Sequence, residues 1–409
     1  MAEGITPEGW LRSTLCSVYV DGGRENCFNY RPVSLTLVVL KVMDSIRLKS
    51  FPLLTDSGWC IVLISVAVLF LYYLSGRGNI GHIHGTTVNL RELAKLSIVL
   101  AEDSGQIIRA QYEKKNVNSR IKISESGPKN EILTDADLLS HHILVTGLAD
   151  KFPDVKVISE EHPPVSTNKP MMQRRRPRAD LENALPDIKF YVPISDMTVW
   201  VDPLDATQEF SEGLLDYVTV MICVALHGYP VIGVVHQPFL NRTFWSWSSY
   251  AMSDDLKRAM QNGSVAFQKE AMSVPKNTDN KSVSNSSARN LVVTHSRSHL
   301  DASQLTKLFE PQTVELVPAG GSGYKVLSLI ERKAQLYVHP SSTRRWDVCA
   351  AQAILEATGG RLTGLDGTRL TYYAGDPEII PKTTGLFAAS SISEHKKWLP
   401  LTGSLLERN

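Results

Sequence analysis

The chain has 409 residues, 43% of them hydrophobic and 21% charged, which is enough for one large or two medium domains with a packed core. Lys and Arg number 43 against 42 Asp and Glu, and this balance removes the usual electrostatic argument for binding a nucleic-acid polymer. The five cysteines are odd in number and include no Cys-x-x-Cys pair, so neither a zinc site nor a disulfide scaffold is indicated.

An uncharged apolar run, Trp59 to Leu74, lies near the N-terminus. It predicts a transmembrane helix over residues 58–75, with aromatic side chains at both ends where they would anchor a span at the membrane surface. The competing interpretation is a core helix or strand pair. Because no other segment of a domain lies near the run in sequence, we favour the membrane anchor.

The charges and sequons around this span favour a lumenal body. Lys41, Arg47 and Lys49 precede the span, while Arg77 is the nearest positive charge after it, as expected for a cytoplasmic N-terminus. Four Asn-x-Ser/Thr sequons in one polar stretch suit a glycosylated lumenal surface. They begin at Asn241, Asn262, Asn280 and Asn285. The predicted organisation is a tail (1–57), the span (58–75), a linker (76–87) and a lumenal domain (88–402).

From Thr86 onward, helical and strand patterns alternate, which predicts an α/β domain. A polar stretch, Ser253 to Arg289, is predicted to be a linker or surface loop between halves at about 88–250 and 288–402. The insert Pro163 to Asp187 carries a basic run that is typical of an exposed loop. The predicted elements are helices over Val88–Tyr112 and Asp137–Ala149, strands over Val155–Ser159 and Thr198–Val201, and a hairpin of Tyr217–Leu226 with Val231–His236.

The most informative segment is Trp200-Val-Asp-Pro-Leu-Asp-Ala-Thr207. Its strand delivers Asp202 and Asp205 across a turn made by proline, and Thr207 follows two residues later. Carboxylates held on a rigid turn are hard oxygen ligands, which suit magnesium better than zinc. The segment from Asp205 can open a helix whose free N–H groups attract an anion.

Other acids stand at the ends of predicted elements. Glu160 and Glu161 end a strand, Asp137 lies at a helix start where Asp135 competes for its role, and Asp347 precedes an Ala-rich helix. For each helix-start acid alone, capping is at least as good an interpretation as catalysis. Together the acids can supply the four or five carboxylates of a multi-magnesium phosphatase site.

Three motifs occur in a characteristic order: Ser-Glu-Glu-His, Trp-Val-Asp-Pro-Leu-Asp-Ala-Thr and Arg-Trp-Asp-Val-Cys-Ala-Ala. In this combination the chain, from about Val88 to the C-terminal region, resembles the lithium-sensitive, magnesium-dependent inositol monophosphatase superfamily. The resemblance implies a layered αβαβα sandwich of the inositol monophosphatase/fructose-1,6-bisphosphatase type, often dimeric. Ala206 stands where many members of that superfamily carry glycine.

The resemblance also implies the roles of individual residues. Two or three Mg²⁺ ions are expected as cofactors, and Asp137 with Thr207 is expected to polarise the attacking water. The implied metal ligands are Glu160, Asp202, Asp205, Asp347 and the backbone carbonyl of Leu204.

Two further segments, Ser296 to His299 and Pro318 to Lys325, look like the nucleotide-handling segments of the 3′-phosphoadenosine 5′-phosphate phosphatases within that superfamily. This likeness implies that Ser296, His299, Gly321 and Lys325 contact the nucleotide and its 5′-phosphate. With the membrane span, it implies a type II Golgi membrane protein that releases the 3′-phosphate in the lumen. Two alternatives stay open: an inositol phosphate or sugar phosphate monoesterase with the same metal core, and a non-catalytic membrane-anchored adaptor.

Overall fold

The structure is a computed structural model that describes residues 86–114, 131–162, 178–248, 250–262, 290–297 and 302–406, with the backbone of 15–19, 30–34 and 120–122. The chain divides into two compact units, Met1–Ile83 and His84–Asn409. In the first, strands β1 (Leu15–Tyr19) and β2 (Tyr30–Ser34) pair antiparallel within the predicted tail. The predicted span over 58–75 lies outside the described residues, among which no helix is long and apolar enough to cross a bilayer.

The second unit contains alternating helices and strands. Its helices are α1 (Leu90–Glu113), α2 (Asp135–Lys151), α3 (Ala179–Ala184), α4 (Thr207–Glu212), α5 (Ala302–Leu308), α6 (Ser322–Ile330), α7 (Arg345–Ala357) and α8 (Ile392–Thr402). Its strands are β3 (Thr87–Asn89), β4 (Arg120–Lys122), β5 (Glu131–Leu133), β6 (Val157–Ser159), β7 (Tyr191–Pro193), β8 (Met197–Asp205), β9 (Thr219–Leu226), β10 (Tyr229–Gln237), β11 (Arg242–Trp247), β12 (Ala251–Met252), β13 (Leu291–Ser296), β14 (Val314–Ala319), β15 (Leu336–His339), β16 (Thr343–Arg344), β17 (Arg361–Thr363), β18 (Ile379–Ile380) and β19 (Leu386–Ala389).

A six-stranded sheet has the order β12-β11-β10-β9-β8-β6. Only β6 and β8 pair in parallel; the other neighbours are antiparallel. The predicted hairpin is β9–β10, and its turn residues His227 and Gly228 have φ values of 50° and 75°. Strand β8 is buried over all nine residues. This burial places the acids at its end inside the molecule.

A five-stranded sheet has the order β14-β13-β15-β19-β17. Strands β14, β13 and β15 are parallel, and β19 pairs antiparallel with both β15 and β17. Because β13 and β14 are parallel neighbours, their carboxyl ends meet at one edge, where Ser296 lies opposite Ala319. The two sequence segments that resemble nucleotide-handling loops both begin there.

Three apolar cores hold together five layers, and the second core surrounds the middle layer of helices. The first joins α1 and α2 to one face of the six-stranded sheet. The second fills the space between the two sheets around α6 and α7. The third joins the five-stranded sheet to α5 and α8. Within β8, Val199 and Val201 face the first core and Trp200 the second, the alternation of a strand buried on both sides. The predicted αβαβα sandwich is confirmed.

The predicted polar loop from Ser253 to Arg289 is wrong at its start, where residues 254–262 are helical. The Ser253 hydroxyl accepts a hydrogen bond from the Leu256 amide at 3.1 Å, which caps the helix. Leu256 and Ala259 are buried in the second core. Two apolar residues three positions apart are therefore enough to dock a polar segment.

A disulfide joins Cys223 of β9 to Cys349 of α7, two cysteines that are 126 positions apart in sequence. Both are buried between the two sheets. The cysteine spacing indicated no disulfide scaffold, and it did not predict this single bond. The pairing depends on the packing of α7 across β9, which no local spacing pattern encodes.

Candidate metal centre and active site

The end of β8 forms the base of the site. Asp202 pairs with Met221 of β9, and Asp205 pairs with Thr219, so two residues of β8, Pro203 and Leu204, stand opposite one residue of β9 at this point. The sequence predicted that the strand breaks at Asp202-Pro203. The strand instead continues through an irregularity to Asp205, because a bulge accommodates a proline that has no N–H to donate. The Asp202 Oδ1 atom accepts a hydrogen bond from the Leu204 amide at 3.1 Å.

Three predicted ligands come together. One carboxylate oxygen each from Glu160, Asp202 and Asp347 lie within 4.8 Å of one another. We call these residues the acidic trio. Glu160 follows β6, and its amide donates to the Val201 carbonyl at 3.2 Å, which holds it beside β8. Asp347 arrives from the first turn of α7. The trio thus brings together the carboxyl ends of β6 and β8 in the first half and the start of α7 in the second.

Burial and mutual repulsion raise the pKa values of these acids. Burial, followed by the neighbouring Glu160 and Asp205 carboxylates, raises the pKa of Asp202 well above its ordinary value. Burial and the Asp205 charge raise the pKa of Asp347 to about 7. Carboxylates that converge around the buried Asp202 repel one another and need a cation to be stable in the ionised form. An all-oxygen donor set of this kind fits a hard divalent ion.

Asp137 and Thr207 are in direct contact, as the resemblance implied. The Thr207 hydroxyl lies 3.1 Å from Asp137 Oδ1 and 3.0 Å from the Leu204 carbonyl oxygen, and it can donate to either. The other Asp137 oxygen accepts from the amide and hydroxyl of Thr134 at 2.7 and 2.5 Å. Burial raises the pKa of Asp137 to about 6. Of the two acids that competed for this role, Asp137 is the one that reaches Thr207.

Asp205 is bound by neighbouring donors instead of joining the trio. Its carboxylate accepts from the amides of Ser322 and Gly323 at 3.2 and 2.9 Å, and from the Thr219 hydroxyl at 3.1 Å. Ser322 and Gly323 open α6, so the helix N-terminus faces this carboxylate. Burial still raises the pKa of Asp205. Its role as a metal ligand stays a prediction.

Ala206 has a left-handed backbone with φ of 71°, a conformation that glycine adopts more readily. It immediately precedes α4, whose first residue is Thr207. This turn swings the chain from β8 into α4 and brings the Thr207 hydroxyl back to the Leu204 carbonyl. The strained position therefore lies between the predicted ligand Asp205 and the predicted catalytic Thr207.

The predicted nucleotide contacts have different environments. Ser296 is partly buried at the carboxyl end of β13, and Gly321 caps α6 with φ of 61°. Lys325 is 4% exposed, with its Nζ atom 3.4 Å from the Ala319 carbonyl oxygen and 5.4 Å from the Tyr337 ring centre. Burial lowers its pKa, while Asp205 and Glu209 act in the opposite sense. His299 lies outside the described residues.

Several residues that position the candidate site residues were not predicted from the sequence. The pattern Thr134-x-x-Asp137 is a capping box and could have been identified. Thr219, which donates to Asp205, carries no recognisable local signal. Arg297, beside Ser296, pairs with Glu209 at 3.0 Å and Glu212 at 2.9 Å, which ties the end of β13 to α4. The contacts of Thr219 and Arg297 form only when elements that are distant in sequence pack together.

Comparison with known proteins identifies relatives over this same region. The model of the inositol monophosphatase family matches residues 89–401. The Golgi-resident adenosine 3′,5′-bisphosphate 3′-phosphatase of Rattus norvegicus is 34% identical over 300 residues, which is 72% of this chain and 77% of the relative. The putative inositol monophosphatase 3 of Drosophila melanogaster is 34% identical over 319 residues, covering 76% and 81%.

Solved structures share the fold at low sequence identity. An inositol monophosphatase of Thermotoga maritima has a TM-score of 0.51 and 17% identity over 78% of this chain and 99% of its own. The extragenic suppressor protein SuhB of Bartonella henselae has a TM-score of 0.50 and 15% identity over 76% and 98%.

Proposed function

The chain belongs to the inositol monophosphatase family and is therefore a phosphatase that hydrolyses phosphoric monoesters; from this premise we propose that its substrate is 3′-phosphoadenosine 5′-phosphate. The products are AMP and inorganic phosphate. The observation that carries the proposal is that α6, which begins just after the end of β14, binds Asp205 of β8 through the amides of Ser322 and Gly323. The edge where β13 and β14 end supplies the Ser296 and Gly321 segments that the nucleotide requires.

Thr207 and Asp137 prepare the attacking water. A threonine hydroxyl can accept a hydrogen bond from water while it donates its own proton to another acceptor. The Asp137 Oδ1 atom lies 3.1 Å away and is the acceptor for that proton. Thr134 fixes the opposite carboxylate oxygen, so Asp137 is held in one orientation. The pair acts as a positioned general base.

The acidic trio is the proposed magnesium site, with Asp205 and the Leu204 carbonyl as further ligands. Family members are metal-dependent, and we propose two or three Mg²⁺ ions, which when bound neutralise phosphate charge, activate water and stabilise the leaving oxygen. The chain's own contribution is to hold Asp347 of the second half against Asp202 of the first. Capping of α7 by Asp347 does not explain why three carboxylates converge, because without a cation they repel one another.

The choice of a nucleotide over an inositol phosphate is supported by the second-half segments. Ser296 and Gly321 lie at or just after adjacent strand ends, and the amine of the buried Lys325 lies 3.4 Å from the Ala319 carbonyl oxygen at the end of β14. A bare polyol ring carries no second phosphate for such groups to bind. The rat relative is named for the 3′-phosphatase reaction on this same bisphosphate.

We also propose that the phosphatase domain lies in the Golgi lumen, held by the span over 58–75. The disulfide between Cys223 and Cys349 suits an oxidising compartment, since cytosolic conditions keep most thiols reduced. The sequon at Asn241 lies at the exposed tip of the β10–β11 hairpin, where a glycan fits. The rat relative is named as Golgi-resident. Homodimerisation stays a prediction.

A second candidate is an inositol monophosphatase with the same metal core. It is favoured by the Drosophila relative, which carries that name and is as similar in identity as the rat protein. The two candidates share Asp137, Thr207 and the acidic trio. They differ only in what the β13–β14 edge binds, so substrate preference separates them.

The test is phosphate release by the purified full chain in detergent and Mg²⁺, with 3′-phosphoadenosine 5′-phosphate and inositol 1-phosphate as parallel substrates. We expect kcat/KM to be at least about 100-fold higher for the nucleotide, because a site with paired polar groups rejects a substrate that leaves them unpaired. Lithium should inhibit this turnover, as the family resemblance implies.

Thr207→Val provides the control, since it removes the hydroxyl and should abolish turnover of both substrates. Preference for inositol 1-phosphate would overturn the nucleotide assignment and leave the metal site intact. Hydrolysis of neither substrate by the folded wild-type protein would overturn the proposed substrate class for the whole site.

A further inference from the structure

Two tyrosines that the reaction does not use stand at the edge of the active site. Tyr217 ends a short 3₁₀ turn (Leu215–Tyr217) directly after α4, and Tyr324 lies in the first turn of α6. Their ring centres are 4.7 Å apart and their planes meet at 78°, an edge-to-face arrangement. Each side chain is partly exposed. We call these two residues the tyrosine pair.

The tyrosine pair is attached to the elements that carry the reacting groups. A Cβ atom placed on Gly321 would come within 2.9 Å of the Tyr217 carbonyl oxygen and 2.8 Å of Asp205 Oδ2. The amide of Gly323, next to Tyr324, donates to the same Asp205 carboxylate. The backbones of both tyrosines are thus fixed within a few ångströms of a predicted metal ligand.

The same edge is polar and charged on its other side. Arg297, which follows Ser296, pairs with Glu209 and interacts electrostatically with Tyr217. The Gly320 backbone lies against Glu209, leaving no room there for a side chain. A partly exposed edge-to-face aromatic pair is suited to a flat ring, which gains from stacking on it.

Resting on the proposed function, we propose that the tyrosine pair is the base-recognition surface of this phosphatase, on which the purine ring of the nucleotide stacks. The edge-to-face packing stiffens both rings, so little side-chain freedom is lost when a base binds. Stacking tolerates any flat base, and the pair therefore selects nucleotides over base-free phosphates. Neither tyrosine takes part in proton transfer or metal binding.

The test compares 3′-phosphoadenosine 5′-phosphate with an abasic analogue, a methyl riboside 3,5-bisphosphate, on the full chain. Loss of one stacking contact weakens binding of a base by about 5- to 150-fold. We therefore expect Tyr324→Ala and Tyr217→Ala to raise KM for the nucleotide by a factor in that range. KM for the abasic analogue, and kcat for both substrates, should stay within about twofold of the wild type.

Tyr324→Phe and Tyr217→Phe are the matched variants, because they keep the ring and should retain nucleotide KM. Tyr373→Ala removes another exposed tyrosine, which packs on the Gly228 turn, and should change neither KM. If an alanine variant does not fold, the leucine variant replaces it. Calorimetric titration then compares the Kd for AMP, which has a base, with the Kd for ribose 5-phosphate, which has none.

An equal rise in KM for both substrates would assign the pair a merely structural role and overturn the inference. Unchanged nucleotide KM in both alanine variants would also overturn it, while leaving the proposed substrate intact. If wild-type protein hydrolyses the abasic analogue but not the nucleotide, the proposed function itself fails. The two failures are therefore distinguishable.

Discussion

Asp137 and Asp347 each stabilise a helix start and lie in the candidate site. The Oδ2 atom of Asp137 accepts from Thr134, and the Oδ2 atom of Asp347 accepts from the Arg344 amide at 2.9 Å and the Thr343 hydroxyl at 2.8 Å. The sequence left capping and catalysis as alternatives for these acids. Capping is compatible with the proposed site role of each acid, because it uses one carboxylate oxygen and orients the other.

At the same scale, the acids that assemble were predictable and their immediate partners were not. Motif order gave Glu160, Asp202 and Asp347, which the structure brings together. It did not reveal that amides of α6 donate hydrogen bonds to Asp205, or that Lys325 is buried. Those facts depend on where α6 packs, which is a property of the whole fold.

The pKa values of these acids predict how the metal-free protein responds to pH. Burial raises the pKa of Asp137 from 3.8 to about 6 and that of Asp347 to about 7, so the folded state binds protons more tightly than the unfolded chain. The stabilisation is present at low pH and is lost as pH rises from about 4 through about 7. We therefore expect the Tm of EDTA-treated protein to be lower at about pH 8 than at about pH 5.

Thermal unfolding at both pH values, with and without Mg²⁺, measures this effect. Mg²⁺ should raise Tm mainly at the higher pH, because it binds the ionised carboxylates of the folded state only. Asp347→Asn should make the metal-free protein less sensitive to pH. A metal-free Tm that rises with pH over this interval would contradict the assigned pKa directions.

At the scale of elements, α7 is the piece that joins the two halves. It packs against the six-stranded sheet, carries Asp347 in its first turn, and is covalently bound to β9 through Cys349 and Cys223. The sequence predicted an Ala-rich helix at this place, and small residues let α7 fit between the sheets. The covalent link was not predictable, since it follows from packing over 126 positions.

We expect the double variant Cys223→Ala/Cys349→Ala to lose about 2–4 kcal/mol of unfolding free energy, because the disulfide closes a long loop in the unfolded chain. Urea denaturation under non-reducing conditions measures the loss. Adding a dithiol reductant should destabilise the wild type and leave the double variant unchanged. Equal stability of wild type and double variant would show that the bond contributes nothing.

At the scale of the whole molecule, two sheets of different topology present their ends to one centre. The α/β class, the central hairpin and the layer order followed from periodicity and family resemblance. The helical start of the predicted polar loop did not, since Leu256 and Ala259 give too weak a pattern alone. The anchor over 58–75 stays a prediction from hydropathy.

We propose that acids from both halves form one metal-dependent phosphatase centre. The most direct measurement is phosphate release from 3′-phosphoadenosine 5′-phosphate in saturating Mg²⁺ by wild type, Asp347→Asn and Glu356→Gln. Glu356 lies at the other end of α7, where it accepts a hydrogen bond from Gln352. Glu356→Gln is therefore a matched control, because it makes the same acid-to-amide change outside the site. We predict a loss of at least about 100-fold for Asp347→Asn and near-normal turnover for Glu356→Gln. Near-normal turnover by a folded Asp347→Asn protein would contradict the claim.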